Sequence, residues 1–229
     1  SLNLAYNAVT AGGRATVDKW TNYVGSALSD IPTGTAANTT SSTVPEFRIA
    51  PNVGDNYGTR IRALLTAPAT GAYTFWVAGD DETVLNLSTN ADPANRGKIA
   101  AVPDGSWTYD AEYDKYPGQK SAAINLVAGQ QYFIEGFMKE EAGGDVLGVA
   151  WTGPGITTRQ TIPGSVLSPT TLGCAGWCPT GTPPPATPPV TPPTGAGVTL
   201  DAWTGIGGTG LSSIATGTLP NGGSSTIAQ

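Results

Sequence analysis

The chain lacks histidine entirely, and charged residues make up only 12% of its 229 residues. Nucleophilic triads of the Ser-His-Asp or Cys-His type need an imidazole, as do most zinc sites, so these sites are excluded. The formal net charge is -6, which disfavours nucleic acids and anionic membranes as partners. No apolar run approaches the length of a membrane span, so the sequence predicts no membrane insertion.

Cysteine is scarce too, with Cys174 and Cys178 as the two examples. A disulfide between them would close a small loop at the end of a domain and would fit an oxidising compartment, although two free thiols are the alternative. Glycosylation would fit the same compartment. Asn38 begins an Asn-Thr-Thr sequon, and Thr187 and Thr191 stand beside prolines as O-glycan acceptors. We therefore predict an extracellular or cell-surface protein.

Glycine and proline are abundant, at 31 and 19 residues, and they separate short stretches of strand-like pattern. Residues 58–66, 73–78, 83–87 and 122–126 carry apolar side chains at alternate positions, whereas residues 146–151 are almost continuously apolar. The period of two is typical of half-buried strands, and long helical periodicity is missing. The sequence predicts an all-β protein built as an antiparallel β-sandwich.

An acidic turn joins two of these strands. Gly79-Asp80-Asp81-Glu82 places three carboxylates where a hairpin would ordinarily have uncharged turn residues, so their repulsion must be offset. Calcium, which accepts six to eight oxygen ligands, would offset it. A solvated acidic hairpin tip is the alternative. The stretch 139–145 is a second oxygen-rich turn that could complete a calcium site.

Four motifs along the chain carry a resemblance to a known family. They are Gly71-x-Tyr73-x-Phe75-x-Val77-x-Gly79-Asp80-Asp81, Tyr116-Pro117-x-Gln119-Lys120-Ser121, Leu126-x-Ala128-Gly129-x-x-Tyr132-x-Ile134-Glu135 and Lys139-Glu140-x-x-Gly143-Gly144-Asp145-x-Leu147-x-Val149-Ala150-Trp151. With these motifs, residues 18 to 168 resemble the protective-antigen 14-kilodalton (PA14) domain, a β-sandwich of bacterial adhesins and glycosidases.

The resemblance implies a site as well as a fold. In such domains the Asp-Asp pair is joined by a cis peptide and holds a calcium ion that also grips neighbouring hydroxyls of a sugar. Carried over to this chain, the resemblance implies Asp80 and Asp81 as metal ligands. The further candidates are Gln119, Asp145 and the carbonyl groups of Gly143 or Gly144.

A loop at residues 104–116 mixes aromatic and acidic side chains. Sugar-binding surfaces use both, because C–H faces stack on rings and hydroxyls donate to carboxylates. We therefore expect Trp107, Tyr109 and Tyr113 to form a glycan platform beside Asp80 and Asp81. The alternative is that Trp107 and Tyr116 cap the core.

Catalysis is one function to consider. A glycosidase needs two carboxylates at a defined separation across a sugar, and no spacing in this sequence pairs the available acids. They are Asp110, Glu112, Asp114 and Glu140. The sequence therefore predicts a protein that is not an enzyme.

The composition and an internal repeat divide the chain into an extension at 1–17, the β-sandwich domain at 18–178, a Pro/Thr-rich linker at 179–197 and a tail at 198–229. The linker is typical of polyproline II, a stiff spacer. The tail repeats the start of the domain without a gap, and Asp201 and Trp203 align with Asp18 and Trp20. Because the chain begins at Ser1 and shows no signal peptide, we expect a mature, processed or partial product.

Two functions follow from these features. The first is an extracellular structural or adhesive module, stabilised by calcium and linked head to tail to other copies of itself through linker and tail into a surface fibre or repeat array. The alternative is a calcium-dependent, lectin-like module that binds glycans.

Overall fold

Strands account for most of the regular structure in a computed structural model of the chain. The model describes residues 13–33, 37 and 42–170, together with the backbone of two strands at 198–201 and 224–227. Among the sequence predictions, the disulfide of Cys174 and Cys178 and the glycosylation sites at Asn38, Thr187 and Thr191 lie outside the described residues. The chain divides into two compact units, residues 1–189 and 190–229.

Twelve of the described strands belong to the first unit and two to the second. In chain order the strands are β1 (Ala15–Thr21), β2 (Ser42–Val44), β3 (Arg48–Ile49), β4 (Tyr57–Thr66), β5 (Gly71–Asp80), β6 (Thr83–Ser88), β7 (Arg96–Val102), β8 (Ile124–Leu126), β9 (Gln131–Glu140), β10 (Val146–Gly153), β11 (Ile156–Thr161), β12 (Leu167–Ser168), β13 (Val198–Asp201) and β14 (Ser224–Ile227). Short 3-10 turns lie at Leu28–Asp30, Pro93–Asn95, Pro117–Gln119 and Gly164–Val166.

The strands of the first unit form two antiparallel sheets. The first sheet has the order β2-β1-β4-β9-β6-β7, with β12 also paired to β4. The second has the order β11-β10-β5-β8, with β3 paired to β10. All described strand pairs are antiparallel. The predicted fold class, an antiparallel β-sandwich, is confirmed.

The core lies between the two sheets and follows the period of two. On β5, Tyr73, Phe75 and Val77 are fully buried in it. The ring of Tyr73 stacks on Trp151 of β10 with their centroids 5.3 Å apart. Gly153 makes this packing possible, since a Cβ there would lie 2.3 Å from the Tyr73 ring.

The outer face of the first sheet carries a buried network of charges, contrary to the simple alternation. The pattern predicted Arg60 and Arg62 as the solvent side of a half-buried strand, yet their side chains are only 12% and 8% exposed. Asp18 on the neighbouring β1 explains this, because its carboxylate lies 2.7 Å from Arg60 and 2.9 Å from Arg62. Arg96 lies 2.9 Å from the buried carboxylate of Glu135 in the same way.

Part of this face is covered by the segment between β1 and β2. Leu28 and Ile31 of that segment pack with Trp20 of β1, Val84 of β6 and Phe137 of β9. Ala15, at the start of β1, is fully buried in the main core. The sandwich therefore includes residues that the sequence assigned to the N-terminal extension.

Within the second unit, β13 and β14 pair as antiparallel strands.

In the described part of the chain, no helix is long and apolar enough to cross a lipid bilayer.

Candidate metal centre

The turn between β5 and β6 is fixed by hydrogen bonds to β9. Asp80 ends β5, and the peptide bond between Asp80 and Asp81 is cis, as the family resemblance implied. The Asp81 N–H donates to the carbonyl of Lys139 at 2.7 Å, and the Lys139 N–H donates to the carbonyl of Glu82 at 3.1 Å. These bonds hold the acidic turn against the last residues of β9.

Three carboxylates meet at this point. Asp80, Asp81 and Glu140 each place an oxygen within 4.8 Å of the others. Glu140 is the last residue of β9 and has no solvent exposure, and neither of its carboxylate oxygens has a hydrogen-bond partner among the described residues. A buried carboxylate without a partner is costly, so this arrangement is suited to a cation.

The electrostatics of the three groups agree with that interpretation. Burial, together with the charges of Asp81 and Asp80, raises the pKa of Glu140 to about 8. Burial and the charge of Asp81 raise the pKa of Asp80 to about 6. The pKa of Asp81 is raised by burial and partly lowered again by the hydrogen bond that its carboxylate accepts from the Glu141 N–H. A divalent cation would stabilise all three in their charged form.

Glu140 was missed as a ligand by the sequence analysis, which considered it only as a catalytic acid. The signal was present in part, because Glu140 belongs to the fourth motif and lies within the second oxygen-rich turn, residues 139–145. What the sequence did not show is that β9 runs beside β6 in the first sheet, which brings the end of β9 to the turn that follows β5.

Asp145, one of the predicted metal ligands, lies close enough to the cluster for its charge to act on Asp80, and its Oδ1 has no hydrogen-bond partner among the described residues. It is 2% exposed, and one of its oxygens accepts hydrogen bonds from the N–H groups of Val53 and Gly54, at 2.7 and 2.9 Å. It therefore anchors the loop before β4 beside the cluster, and its charge contributes to the raised pKa of Asp80. Asp145 is not among the three residues whose oxygens converge.

The two candidate glycines, Gly143 and Gly144, lie in the loop between β9 and β10. The Gly143 N–H donates to Asp55 at 3.2 Å. A Cβ built on Gly144 would lie 3.6 Å from Oδ2 of Asp80, which places the Gly144 backbone directly against the cluster.

Gln119 is fully buried and its amide is already used within the protein. Its oxygen accepts from the Tyr116 N–H at 2.8 Å, and its nitrogen donates to the carbonyls of Val77 and Glu112 at 2.9 and 2.6 Å. The side chain therefore holds the loop 104–116 on β5.

The aromatic loop is attached to the residue that precedes Asp80. The Thr108 N–H donates to the Gly79 carbonyl at 2.8 Å, and the Gly79 N–H donates to the Thr108 hydroxyl oxygen at 2.8 Å. The two residues that flank Thr108 project outward: Trp107 is 40% and Tyr109 68% exposed, with their rings 4.9 Å apart in an edge-to-face arrangement. Trp107 thus does not cap the core, which was the alternative interpretation.

Tyr113 does not share this surface. It is 7% exposed and packs with Trp76, Ala78 and Ala150 on the outer side of the second sheet. Its ring is covered further by the Arg159 guanidinium, 5.0 Å from the ring centroid. Of the three residues predicted to form a glycan platform, Trp107 and Tyr109 are therefore exposed and Tyr113 is buried.

Comparisons with known proteins give several partial similarities. No family model matches the chain. Fibrocystin of Canis lupus familiaris is 29% identical over 104 residues, which is 39% of this chain but only 3% of fibrocystin.

Among solved structures, the PA14 domain of the MpAFP antifreeze protein is 14% identical, with a TM-score of 0.49 over 69% of this chain and 91% of that one. A PA14 sugar-binding domain from an RTX adhesin is 12% identical, with a TM-score of 0.48 over 70% of this chain and 100% of that one. PA14 domains, the family that the sequence motifs resemble, are therefore among the structures to which this chain is similar.

Proposed function

We propose that this protein is a calcium-dependent glycan-binding module that acts outside the cell. The observation that carries the proposal is the convergence of Asp80, Asp81 and Glu140, with Glu140 buried and without a hydrogen-bond partner among the described residues. Two exposed aromatic residues flank Thr108, which is hydrogen-bonded to Gly79, the residue before Asp80.

Calcium fits the donor set better than the other common metals. All three converging side chains are carboxylates, which suit hard cations, and the described part of the chain offers no thiolate or imidazole there. Calcium accepts six to eight oxygens, so three carboxylates leave positions for backbone carbonyls and for ligand hydroxyls. Once bound, the ion would offset two of the three negative charges and offer its remaining coordination positions to a vicinal diol.

Trp107 and Tyr109 provide the apolar half of such a site. Their exposed rings can stack against the C–H face of a sugar. The Lys115 ammonium, 3.3 Å from the Trp107 ring centroid and bonded to the Trp107 carbonyl at 2.8 Å, holds that residue in position. Thr108 links both rings to Gly79, so the platform and the acidic turn share one support.

Binding is favoured over catalysis by the partners of the remaining acids. Asp110 is ion-paired with Arg48, and Asp114 with Arg159 at 2.8 Å. Glu112 accepts a hydrogen bond from the Tyr109 N–H at 2.9 Å. These carboxylates serve loop structure, which supports the prediction that the protein is not an enzyme.

Glycan-array binding in calcium and in chelator tests the proposal. We expect selective binding in calcium, its loss in chelator, and its loss in a Trp107→Ala/Tyr109→Ala variant that retains calcium binding. A matched control is Val24→Ala, since Val24 is an exposed apolar residue, 75% exposed, on a different segment. An array without calcium-dependent signals would refute the proposed calcium-dependent glycan binding.

A structural role in a surface fibre or repeat array is the second candidate. It is favoured by one specific observation: in the tail, β13 and β14 form a strand pair at the positions where the repeat places the first two strands of the domain. Glycan binding and such a role are compatible in one protein.

A further inference from the structure

The tail repeats the strand pairing of the domain's opening segment, residue for residue. In the domain, Ala15 pairs with Val44, Thr16 with Thr43 and Val17 with Ser42. The corresponding pairs in the tail are Val198 with Ile227, Thr199 with Thr226 and Leu200 with Ser225. Both members of every pair are displaced by the same number of residues along the chain. The sequence repeat is thus also a repeat of register.

The positions retained in the tail are the buried ones. In the described part of segment 15–44, the buried residues are Ala15, Thr16, Asp18, Trp20, Leu28 and Ile31. The tail has Val198, Thr199, Asp201, Trp203, Leu211 and Ile214 at these positions. All are identical except the first, which remains apolar. Exposed positions have changed more freely: Val24, at 75% exposure, corresponds to Gly207.

In the domain, these buried residues contact strands outside the opening pair. Asp18 binds Arg60 and Arg62 of β4. Trp20, Leu28 and Ile31 pack with Val84 of β6 and Phe137 of β9. A β1–β2 pair alone would not need an aspartate and a tryptophan at these places, because their partners belong to the rest of the sheet.

The edge of β13 that does not face β14 corresponds to the edge of β1 that pairs with β4. In the domain β1 pairs with β2 on one side and with β4 on the other, in register from Thr16 with Arg62 to Thr21 with Tyr57. Within the described residues, β13 has β14 as its one partner strand. The side of β13 that corresponds to the β4 side therefore carries backbone groups suited to a further strand.

We infer that residues 198–227 are a second copy of the domain's opening hairpin, and that β13 takes the place of β1 on the β4 strand of a second copy of this domain. Asp201 then lies between the two arginines of that strand, and Trp203 enters the pocket that Trp20 fills in the first copy. The partner is thus defined by chemistry, as an antiparallel strand with arginines two residues apart beside an apolar pocket. The inference does not depend on calcium or on glycan binding.

A hairpin exchange tests the inference directly. In the full chain, residues 15–44 are replaced by the sequence of residues 198–227, which has the same length. We expect the exchanged protein to fold cooperatively as a monomer, with a melting temperature within about 5 °C of the parent. The control is an exchange in which the same thirty or so residues are shuffled, and we expect that protein to lose its cooperative transition.

Two substitutions distinguish specific docking from the alternative that β4 pairs with any strand of suitable length. Asp201→Ala, made within the exchanged segment, is expected to lower the melting temperature by about as much as Asp18→Ala lowers that of the parent, roughly 10 °C. Ser212→Ala, which occupies the exposed position of Ser29 in the exchanged protein, is expected to leave the melting temperature unchanged. Failure of the exchanged protein to fold, or a melt insensitive to Asp201→Ala, would overturn the inference.

Discussion

At the scale of single residues, Glu140 best explains how the candidate metal centre works. The side chain is buried, its oxygens have no hydrogen-bond partner among the described residues, and the two aspartates of the β5–β6 turn lie beside it. Such a group destabilises the folded chain unless it is protonated or bound to a cation. The metal centre is therefore expected to couple calcium binding to stability.

Glu140→Gln keeps the size of the side chain and removes its charge. We expect calcium affinity to fall by tenfold or more, about 1.4 kcal/mol or above, and the calcium-induced rise in melting temperature to shrink accordingly. Thermal melts in chelator and in calcium measure this. Glu141→Gln is the matched control, because Glu141 is the exposed neighbour outside the cluster, and equal effects of the two substitutions would contradict the role of Glu140.

The raised pKa values predict how stability depends on pH when calcium is absent. A carboxyl group whose pKa rises on folding, such as Glu140 from 4.5 to about 8, binds its proton more tightly in the folded chain. Its stabilising contribution is complete below pH 4.5 and is lost as the pH rises through about 8.

Melting temperatures in chelator should therefore decline between about pH 5 and pH 8.5, beyond the decline of the Glu140→Gln variant. With saturating calcium this additional decline of the parent with pH should disappear, because the ion replaces the protons. Melts across this range, with and without calcium, decide the point. Parallel curves for parent and variant in chelator would show that Glu140 does not titrate as described.

At the scale of elements, Thr108 couples the aromatic loop to the acidic turn. Its hydroxyl oxygen accepts from the Gly79 N–H at 2.8 Å and lies 3.1 Å from the Gly79 carbonyl, to which it donates. The side chain is nearly inaccessible to solvent. Glycan affinity should therefore depend on a residue that touches neither the ion nor the sugar.

Thr108→Val removes the hydroxyl and keeps the shape. We expect glycan affinity to fall about tenfold, with calcium affinity close to that of the parent. Calorimetric titration of calcium and of a glycan identified on the array separates the two effects. Thr152→Val, at a partly buried threonine on β10 away from the site, is the control. A parallel loss of calcium binding would contradict the coupling.

The strand pair β1–β4 supplies a second prediction at this scale. Asp18→Ala removes the buried carboxylate that Arg60 and Arg62 share, and the loss of one partner from a buried ion pair typically costs about 3–5 kcal/mol and lowers the melting temperature by roughly 10 °C. Asp114→Ala removes an ion pair in which the aspartate is 70% exposed, and it should change the melting temperature little. Thermal melts of both variants test the contrast, and equal shifts would contradict it.

At the scale of the whole molecule, local patterns predicted the fold more completely than the site. The alternation along β4 and β5 identifies strands because burial follows a period of two. The acidic turn at Asp80 and Asp81 is also local in sequence. Glu140 and Thr108 were not identified, because their roles arise only when β9 and the loop 104–116 meet the turn in three dimensions.

The predictions about individual side chains that were wrong failed for the same reason. Arg60 and Arg62 resemble solvent-facing residues until Asp18 is placed on the adjacent strand. Tyr113 and Trp107 are both aromatic residues of the loop 104–116, yet Tyr113 packs on the second sheet and Trp107 projects from the surface. Burial of a given side chain depends on which segment covers it, and a single sequence carries little information on that point.

Direct titration of calcium into the chelator-treated protein, followed by isothermal calorimetry, tests the central claim most directly. The account predicts one tightly bound calcium ion per chain, proton release on binding near pH 7, and an affinity lowered tenfold or more in Asp81→Asn and in Glu140→Gln. The absence of saturable binding at millimolar calcium, or binding that both variants retain with the affinity of the parent, would contradict it.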